Sequence, residues 1–445
     1  MNRHTNYFLL LVLLLCPLAA CKQYNKDYQS AAQNPEFLHA GVKRITDIIR
    51  NDIFPPTVSA RIYAYSSVAA YEALVPGFPE YRSLAGQLNG LKPSPQPEAG
   101  KEYCFPVSSA NALFIVGKQL IFSEGEMQEL KEKILEDFAK MNMPPEVFER
   151  SMAYGEAVAK HILAWSKTDN YAQTRSMPKF TIDTKEAGRW RPTPPMYADA
   201  LEPHWTKIRT WVIDSATQFR PEPPVPFSTD KNSEFYKQAL EVHDIIKNLT
   251  PWQDSTAWYW DDNPFRMDVS GHLSFGVKKI SPGGHWMNIA SQTCRKAKAD
   301  MMKSAETYVK VACALADGFI VCWAEKYRSN LIRPESYINQ YIDPDWQPLI
   351  QTPPFPEHTS GHSTISAAAA TVLTELYGDN FSFTDSTELE FGIPVRTFPS
   401  FLKAAEEVGM SRLYGGIHYR RGNLCGLKCG GEVGKYVAQE LKTKK

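Results

Sequence analysis

Apolar residues recur at three- and four-residue spacing along most of this chain, and strand-like alternation is weak throughout. FLHAGVKRITDIIRNDIFPP predicts an amphipathic helix that stops at Pro55-Pro56. VSARIYAYSSVAAYEAL and SANALFIVGKQLIF follow as helices. EGEMQELKEKILEDFAKM shows a charged outer face, and PPEVFERSMAYGEAVAKHILAWSK starts with prolines where a helix tolerates them. From about Thr168 to Pro226 the pattern fades into proline-rich loops such as RWRPTPPMYADALEPHW and RPEPPVPF. SEFYKQALEVHDIIKNLT restores a helix, and PWQDSTAWYWDDNPFRMDVSGHLSFGVKKISPGGHW is again irregular. A long helix is expected from about Met287 towards Ile332, another from Ser360 to near Gly378, and a last one from around Gly416 almost to the C-terminus. The expected class is all-α: helical bundles joined by long proline-rich loops, with an N-terminal helical region over 21–226 and a C-terminal helical domain over 227–445.

The first twenty residues stand outside that pattern. MNRHTNYFLLLVLLLCPLAAC places Arg3 before an apolar run from Phe8 to Leu15, then Ala19 and Ala20 before Cys21. This reads as a signal peptide over 1–20. LAAC resembles the bacterial lipobox, which implies a lipid on Cys21 and a mature protein anchored at a bacterial membrane, periplasmic or on the outer surface. An ordinary signal with a nearby cysteine, or one membrane anchor, is the alternative, although the run is short for a span.

Charge and cysteine content narrow the function classes. Lys plus Arg and Asp plus Glu both number 49, so no basic excess points to nucleic acid. Beyond Cys16 and Cys21 the cysteines are sparse, with no Cys-x2-Cys pair to suggest zinc. Cys425 and Cys429, four apart on an expected helix, are expected to pack rather than bridge.

Three clusters carry candidate chemistry. In EKYRSNLIRP, Lys326 and Arg333 stand seven apart, which puts both on one helix face before Pro334 ends the helix. A solvated helix end with cations suited to the dipole has the same appearance. In FPEHTSGHSTIS, Ser360 reads as the N-cap of an alanine-rich helix, with Gly361 and His362 in its first turn. Free amides there, and no side chain at Gly361, make an anion site, and His362 can move a proton near neutral pH. A capped helix beside a surface histidine is the plain alternative. In SRLYGGIHYRRG, Arg412 and His418 flank a Gly415-Gly416 turn and His418 opens the last helix. An arginine fork and an imidazole aimed together suit a tetrahedral oxyanion, though a histidine at a helix start also serves structure alone.

In this order, Lys-x6-Arg-Pro, Ser-Gly-His and Ser-Arg-x5-His form a specific joint signal. It resembles the type 2 phosphatidic acid phosphatase and vanadium-dependent haloperoxidase superfamily, with PPFPEHTSGHS and KYRSNLIRP nearest its soluble haloperoxidase-like branch. The motifs span residues 326–418, and the helical organisation extends the resemblance over the C-terminal half and, more loosely, the mature chain. The resemblance implies a helical-bundle fold of that type. It implies that Lys326, Arg333 and Arg412 hold vanadate or phosphate oxygens, with Ser360 and the Gly361 backbone as further donors. It makes His362 the acid–base residue and His418 the residue that binds vanadium or attacks phosphorus. Three cations suit the charge of such an oxyanion.

Two reactions follow from the resemblance. With vanadate as cofactor, hydrogen peroxide oxidises a halide. With no cofactor, a phosphoester is hydrolysed through a phosphohistidine at His418 while His362 protonates the leaving oxygen. A third reading keeps the oxyanion site in a non-catalytic binding lipoprotein. The integral-membrane phosphatases are disfavoured because no long apolar span follows the leader, and the soluble form favours the haloperoxidase branch. Pairing of two copies is a further expectation.

The chain departs from the family pattern twice. Thr359 replaces a common proline, and Gly422 stands where an aspartate often follows the last histidine. That carboxylate would orient His418 as a triad aspartate orients its histidine. Asp317 is a candidate substitute, but nine residues at about 100° each put it nearly opposite Lys326, so it is not assigned. The other Ser-Gly-His, Ser270-Gly271-His272, lacks the alanine-rich helix and reads as loop. His272 and His285 either face the oxyanion site or cap local turns, and His358 lies within reach on the loop before His362. Asp261-Asp262 lack the spacing of a metal site, and Arg189 in RWRP reads as structural.

Overall fold

A computed structural model describes residues 24–25 and 27–445; the leader, Cys16 and Cys21 lie outside them. The all-α expectation is borne out. The expected N-terminal helices form as Glu36–Asn51, Pro56–Leu74, Phe105–Leu120, Glu124–Ala139 and Pro145–Ser166. Residues 168–226 stay irregular apart from single turns at Tyr171–Thr174 and Trp205–Lys207. Glu234–Lys247 follows, with the Ser233 hydroxyl accepting from the Tyr236 amide.

Several elements differ from expectation, each for a local reason. The segment expected as one helix from Met287 to Ile332 is two, Pro282–Lys296 and Met301–Ser329. Lys298 takes φ +52°, and Asp300 restarts the helix by accepting from the Lys303 amide at 2.7 Å. The second helix then ends at Asn330 with φ 47°. Arg333 is therefore not on the helix that carries Lys326. It is the extended residue ahead of Pro334–Tyr341, a helix that Pro334 opens. Pro251–Tyr259 lies in a stretch expected to be irregular, started by a reciprocal Thr250–Gln253 capping box. Phe401–Tyr414, capped by Ser400, has no counterpart in the expectation. The last helix is Arg420–Glu440, because Gly416 turns at φ +78°; His418 sits in the turn before it. Two antiparallel hairpins are also present: Arg266–Ser270 with Leu273–Val277, and Phe383–Asp385 with Arg396–Phe398.

One apolar cluster runs from Tyr28 to Leu441 and draws on helices either side of residue 226. Met301–Ser329 crosses it. That helix is long and apolar enough to span a membrane, contrary to the expectation of no such segment, but 94% of its apolar window is buried inside the fold. It is a core helix.

Gly361–Tyr377 packs between Met301–Ser329, Phe401–Tyr414 and Arg420–Glu440. Gly422, Gly426, Gly430 and Gly434 repeat every fourth residue along the last helix, so they share one face. A Cβ at Gly430 would collide with the Thr364 carbonyl, and one at Gly434 with that of Ala368. The bare face lets the two backbones touch, which fixes the height of His418 against Ser360. Gly430→Ala is expected to destabilise the fold by about 3 kcal/mol, seen as a lower urea midpoint at unchanged slope.

His39, on Glu36–Asn51, makes the fold acid-sensitive. It is 1% exposed and bonded through Nδ1 to the Tyr308 hydroxyl. Burial, with the Arg295 guanidinium nearby, pushes its pKa from 6.5 down to about 4. The unfolded chain therefore takes this proton more readily. The stability due to neutral His39 is complete above pH 6.5 and is lost as pH falls towards about 4. Urea unfolding at pH 8 and pH 4.5 is expected to differ by about 2 kcal/mol less in His39→Gln than in the wild type.

Candidate active site

Lys326 lies in the last turn of Met301–Ser329 and is fully buried. Its Nζ donates to the carbonyls of Pro356 and Glu357 at 2.9 and 3.0 Å and stands 4.9 Å from the Phe355 ring centre. Arg333 donates Nε to the Phe355 carbonyl at 2.8 Å, and Nη1 to the Ile417 carbonyl at 2.8 Å and to His418 Nε2 at 3.1 Å. Arg412, in the last turn of Phe401–Tyr414, donates Nη1 to the Trp260 carbonyl at 2.6 Å. Ser360 caps Gly361–Tyr377 by accepting from the Ser363 amide at 3.3 Å, which puts Gly361 and His362 in the first turn. The Ser360 amide donates to the Gly422 carbonyl at 3.0 Å and ties this helix start to the last helix.

The structure thus brings Lys326, Arg333, Ser360, Gly361, His362, Arg412 and His418 to one place. Burial pushes Lys326 down to about 7, with Arg333 adding to the effect. Burial also lowers Arg333, to about 10, and Arg412. Burial and then Arg412 hold His362 well below the usual histidine range. Burial, Arg333 and Lys326 do the same to His418. Both imidazoles are neutral at neutral pH, and the cations repel one another.

Arg333 Nη2, Arg412 Nε and His362 Nε2 are buried without a partner. Buried polar atoms are nearly always satisfied, so the two arginine donors mark where negative oxygens belong, with His362 Nε2 open beside them. An oxyanion such as vanadate or phosphate fits this donor set, which offers cations and imidazoles.

His418 donates Nδ1 to Glu357 Oε1 at 2.7 Å. With Arg333 donating to Nε2, the ring is the Nδ1–H tautomer and its Nε2 lone pair faces the cations. Glu357 was not identified from sequence, although it lies inside PPFPEHTSGHS; its partner is 61 residues away. Asp317 does something else. Its carboxylate accepts from the amides of Trp211, Val212 and Ile213 and holds that loop.

The remaining candidates also find places. His358 donates to the Glu222 carbonyl at 2.9 Å. His272 is exposed in the hairpin turn. Arg189 donates to the Ser329 carbonyl at 3.1 Å and braces the end of the Lys326 helix. Cys425 and Cys429 are buried and unbridged. His285 is fully buried, with Nδ1 on Asp262 at 2.9 Å, Nε2 on Asp385 at 2.7 Å and its ring stacked 4.6 Å from Trp260. Burial opposes its charge, but Asp262 and Asp385 raise its pKa well above the usual value. Asp262, His285 and Glu388 lie near enough to share a metal ion. Both His285 nitrogens are already engaged, however, and Lys279 stands 3.9 Å from Glu388, so cationic side chains already meet these acids.

A cavity of about 160 Å³ reaches this cluster. Phe54, Met196, Phe265, Phe355 and several prolines wall it, and Asp262, His362 and Arg412 are its titratable lining. A larger groove of about 710 Å³, beside Trp346 and Met267, includes none of the candidate site residues.

A family profile described as the VCPO second helical-bundle domain matches residues 306–444. The crystal structure of a protein described as the first bacterial vanadium-dependent iodoperoxidase is 48% identical, with a TM-score of 0.87, covering 92% of this chain and 97% of that one. A holo-type bacterial vanadium-dependent chloroperoxidase matches at 15% identity and TM-score 0.68, over 94% of this chain and 98% of that one. An apo-type one matches at 16% and 0.66, over 87% and 94%. These two bear on the fold alone. No curated protein matches.

Proposed function

This chain belongs to the vanadium-dependent haloperoxidase family, and from that premise we propose that it holds vanadate among Lys326, Arg333 and Arg412 and oxidises iodide with hydrogen peroxide. The observation that carries this reading is the pair of unpaired buried donors on Arg333 and Arg412, with the unpartnered Nε2 of His362, beside the His418 lone pair. When bound, vanadate supplies Lewis-acid activation of peroxide.

The chain's own residues do the rest. Lys326, Arg333 and Arg412 neutralise the oxyanion in a low-dielectric site, where each interaction counts for more than in water. The Ser360 hydroxyl and the first-turn amide of Gly361 add donors with no intrahelical carbonyl to serve. His418 offers Nε2 as the ligand atom. His362, neutral and with Nε2 unpartnered, accepts a proton from peroxide. One proton is consumed for each peroxide and iodide converted to hypoiodous acid and water, and His362 is placed to return it. The apolar cavity walls favour iodide, the more weakly hydrated halide, because entry costs it less desolvation than bromide or chloride. The relative solved as an iodoperoxidase supports the same choice.

The test uses protein stripped of bound anion. Added orthovanadate should switch on peroxide-dependent iodide oxidation, with bromide slower. Hydrolysis of p-nitrophenyl phosphate, inhibited by vanadate and without iodide oxidation, would replace this reading with a phosphatase using His418 as nucleophile. From the leader alone, we place the mature protein at a bacterial membrane through a lipid on Cys21. Cys21→Ala should move it to the soluble fraction, and retention of that variant on membranes would sink the placement.

A further inference from the structure

We propose that Glu357 is the positioning residue for His418, and that Gly422 is the vacancy that lets it act from the loop rather than from the last helix. The inference rests on the oxyanion-site reading above and adds residues to it.

Glu357 is fully buried and attached at four points. Its amide donates to the Leu331 carbonyl at 3.0 Å. Its carbonyl accepts from Lys326 Nζ at 3.0 Å. Its Oε1 accepts from His418 Nδ1 at 2.7 Å and from the Tyr419 amide at 3.2 Å. Both side-chain bonds end on Oε1, while Oε2 has no hydrogen-bond partner. Burial pushes the carboxyl up to about 7 against the pull of Lys326 and Arg333; when ionised it accepts only. It fixes the proton of His418 on Nδ1 and keeps a lone pair on Nε2, where Arg333 donates to it in the anion-free site. Without it, only the Arg333 bond at Nε2 opposes the other neutral tautomer, which carries its proton where the lone pair is needed.

Gly422 explains why the carboxylate comes from the loop. A Cβ at this position would collide with Oε1 of Glu357, and its three nearest atoms all belong to that carboxyl group. Positions 357 and 422 therefore aim into one space, and only one of them can fill it. Lys326, held by the same residue's carbonyl, and His418, held by its side chain, are set at a fixed distance by one amino acid. The two sides of the oxyanion cradle are thus coupled through Glu357.

The pair makes an exchange test possible. Orthovanadate affinity is measured on anion-free protein by equilibrium dialysis, beside iodide turnover, for the wild type, Glu357→Ala, Gly422→Asp and the double variant. Glu357→Ala is expected to weaken vanadate binding by about 10- to 100-fold. Gly422→Asp alone should weaken it too, by crowding Glu357. The double variant should recover most of the loss, because an aspartate then occupies the shared space. A double variant no better than Glu357→Ala would overturn the exchange. Thermal melting checks each fold. If Glu357→Ala does not fold, Glu357→Leu, which fills the volume but cannot accept from Nδ1, carries the test: at least tenfold weaker binding is expected, and wild-type affinity would overturn the proposal. Nitrogen-15 histidine spectra give a readout that loss of packing alone does not move. The wild type should show His418 as the Nδ1–H tautomer, and Glu357→Ala a mixture. Wild-type protein that binds vanadate but oxidises no halide would sink the enzymatic reading while leaving affinity and tautomer to decide this one.

Discussion

His418→Ala is expected to abolish vanadate-dependent iodide oxidation and to weaken orthovanadate binding by about 1000-fold, or about 4 kcal/mol. Lys326, Arg333 and Arg412 are donors only, so the atom that binds the centre of the anion has to be an imidazole nitrogen. His418 is the imidazole whose tautomer is fixed on both sides, by Glu357 at Nδ1 and Arg333 at Nε2. His362, whose Nε2 has no partner, is not oriented in this way. The fold should survive the change, because His418 sits in a turn and its neighbours keep other anchors. Arg333 retains the Phe355 and Ile417 carbonyls, and Glu357 retains the Tyr419 amide. Free imidazole should restore part of the binding by entering the space left behind. Full activity in a folded His418→Ala protein would remove His418 from the site, and unchanged vanadate affinity with lost turnover would make it an acid–base residue instead of a ligand.

The parts of this site legible in sequence are those written in local chemistry. Ser360 caps its helix through an amide three residues on, so Gly361 and His362 fall in the first turn wherever the helix packs. The seven-residue spacing of Lys326 and Arg333 predicts one helix face, which the structure does not bear out, although both side chains reach the site. The helix stops at Asn330, and the loop, not two helical turns, delivers Arg333. The Thr250–Gln253 capping box that starts Pro251–Tyr259 was also local, yet the surrounding aromatics and acids masked the pattern. What could not be read was long-range pairing. His285 finds its two carboxylates 23 and 100 residues away. Glu357 finds His418 across 61 residues. Gly422 looked like a missing carboxylate because a sequence shows which group is absent from a position, but not which other group fills that space.

Arg333→Met carries the other large effect: vanadate affinity should fall by about 1000-fold while the anion-free protein melts at nearly the wild-type temperature. Arg333 is a fully buried cation beside two others, and burial with the Arg412 field holds its pKa down to about 10. Removing it deletes three hydrogen bonds, each worth about 1 kcal/mol net. It also removes a desolvated charge and its repulsion of the other cations, which offsets much of that loss, and methionine fills the volume. Lys326, relieved of one neighbour, should titrate above its present value of about 7. With the anion present the balance reverses. The charge that repels in the empty cluster attracts in the filled one, so wild-type protein should gain about 2.7 kcal/mol at a vanadate concentration 100 times its Kd. At that same concentration Arg333→Met should gain almost nothing. Melting curves with and without orthovanadate read both halves at once. A wild-type shift in the variant would put Arg333 outside the site, and an anion-free variant that unfolds many degrees early would make it a strut for the Phe355 and Ile417 loops. The expected pattern, little change empty and a large loss filled, follows only if part of the anion's binding energy is relief of repulsion among cations that the fold holds together in advance.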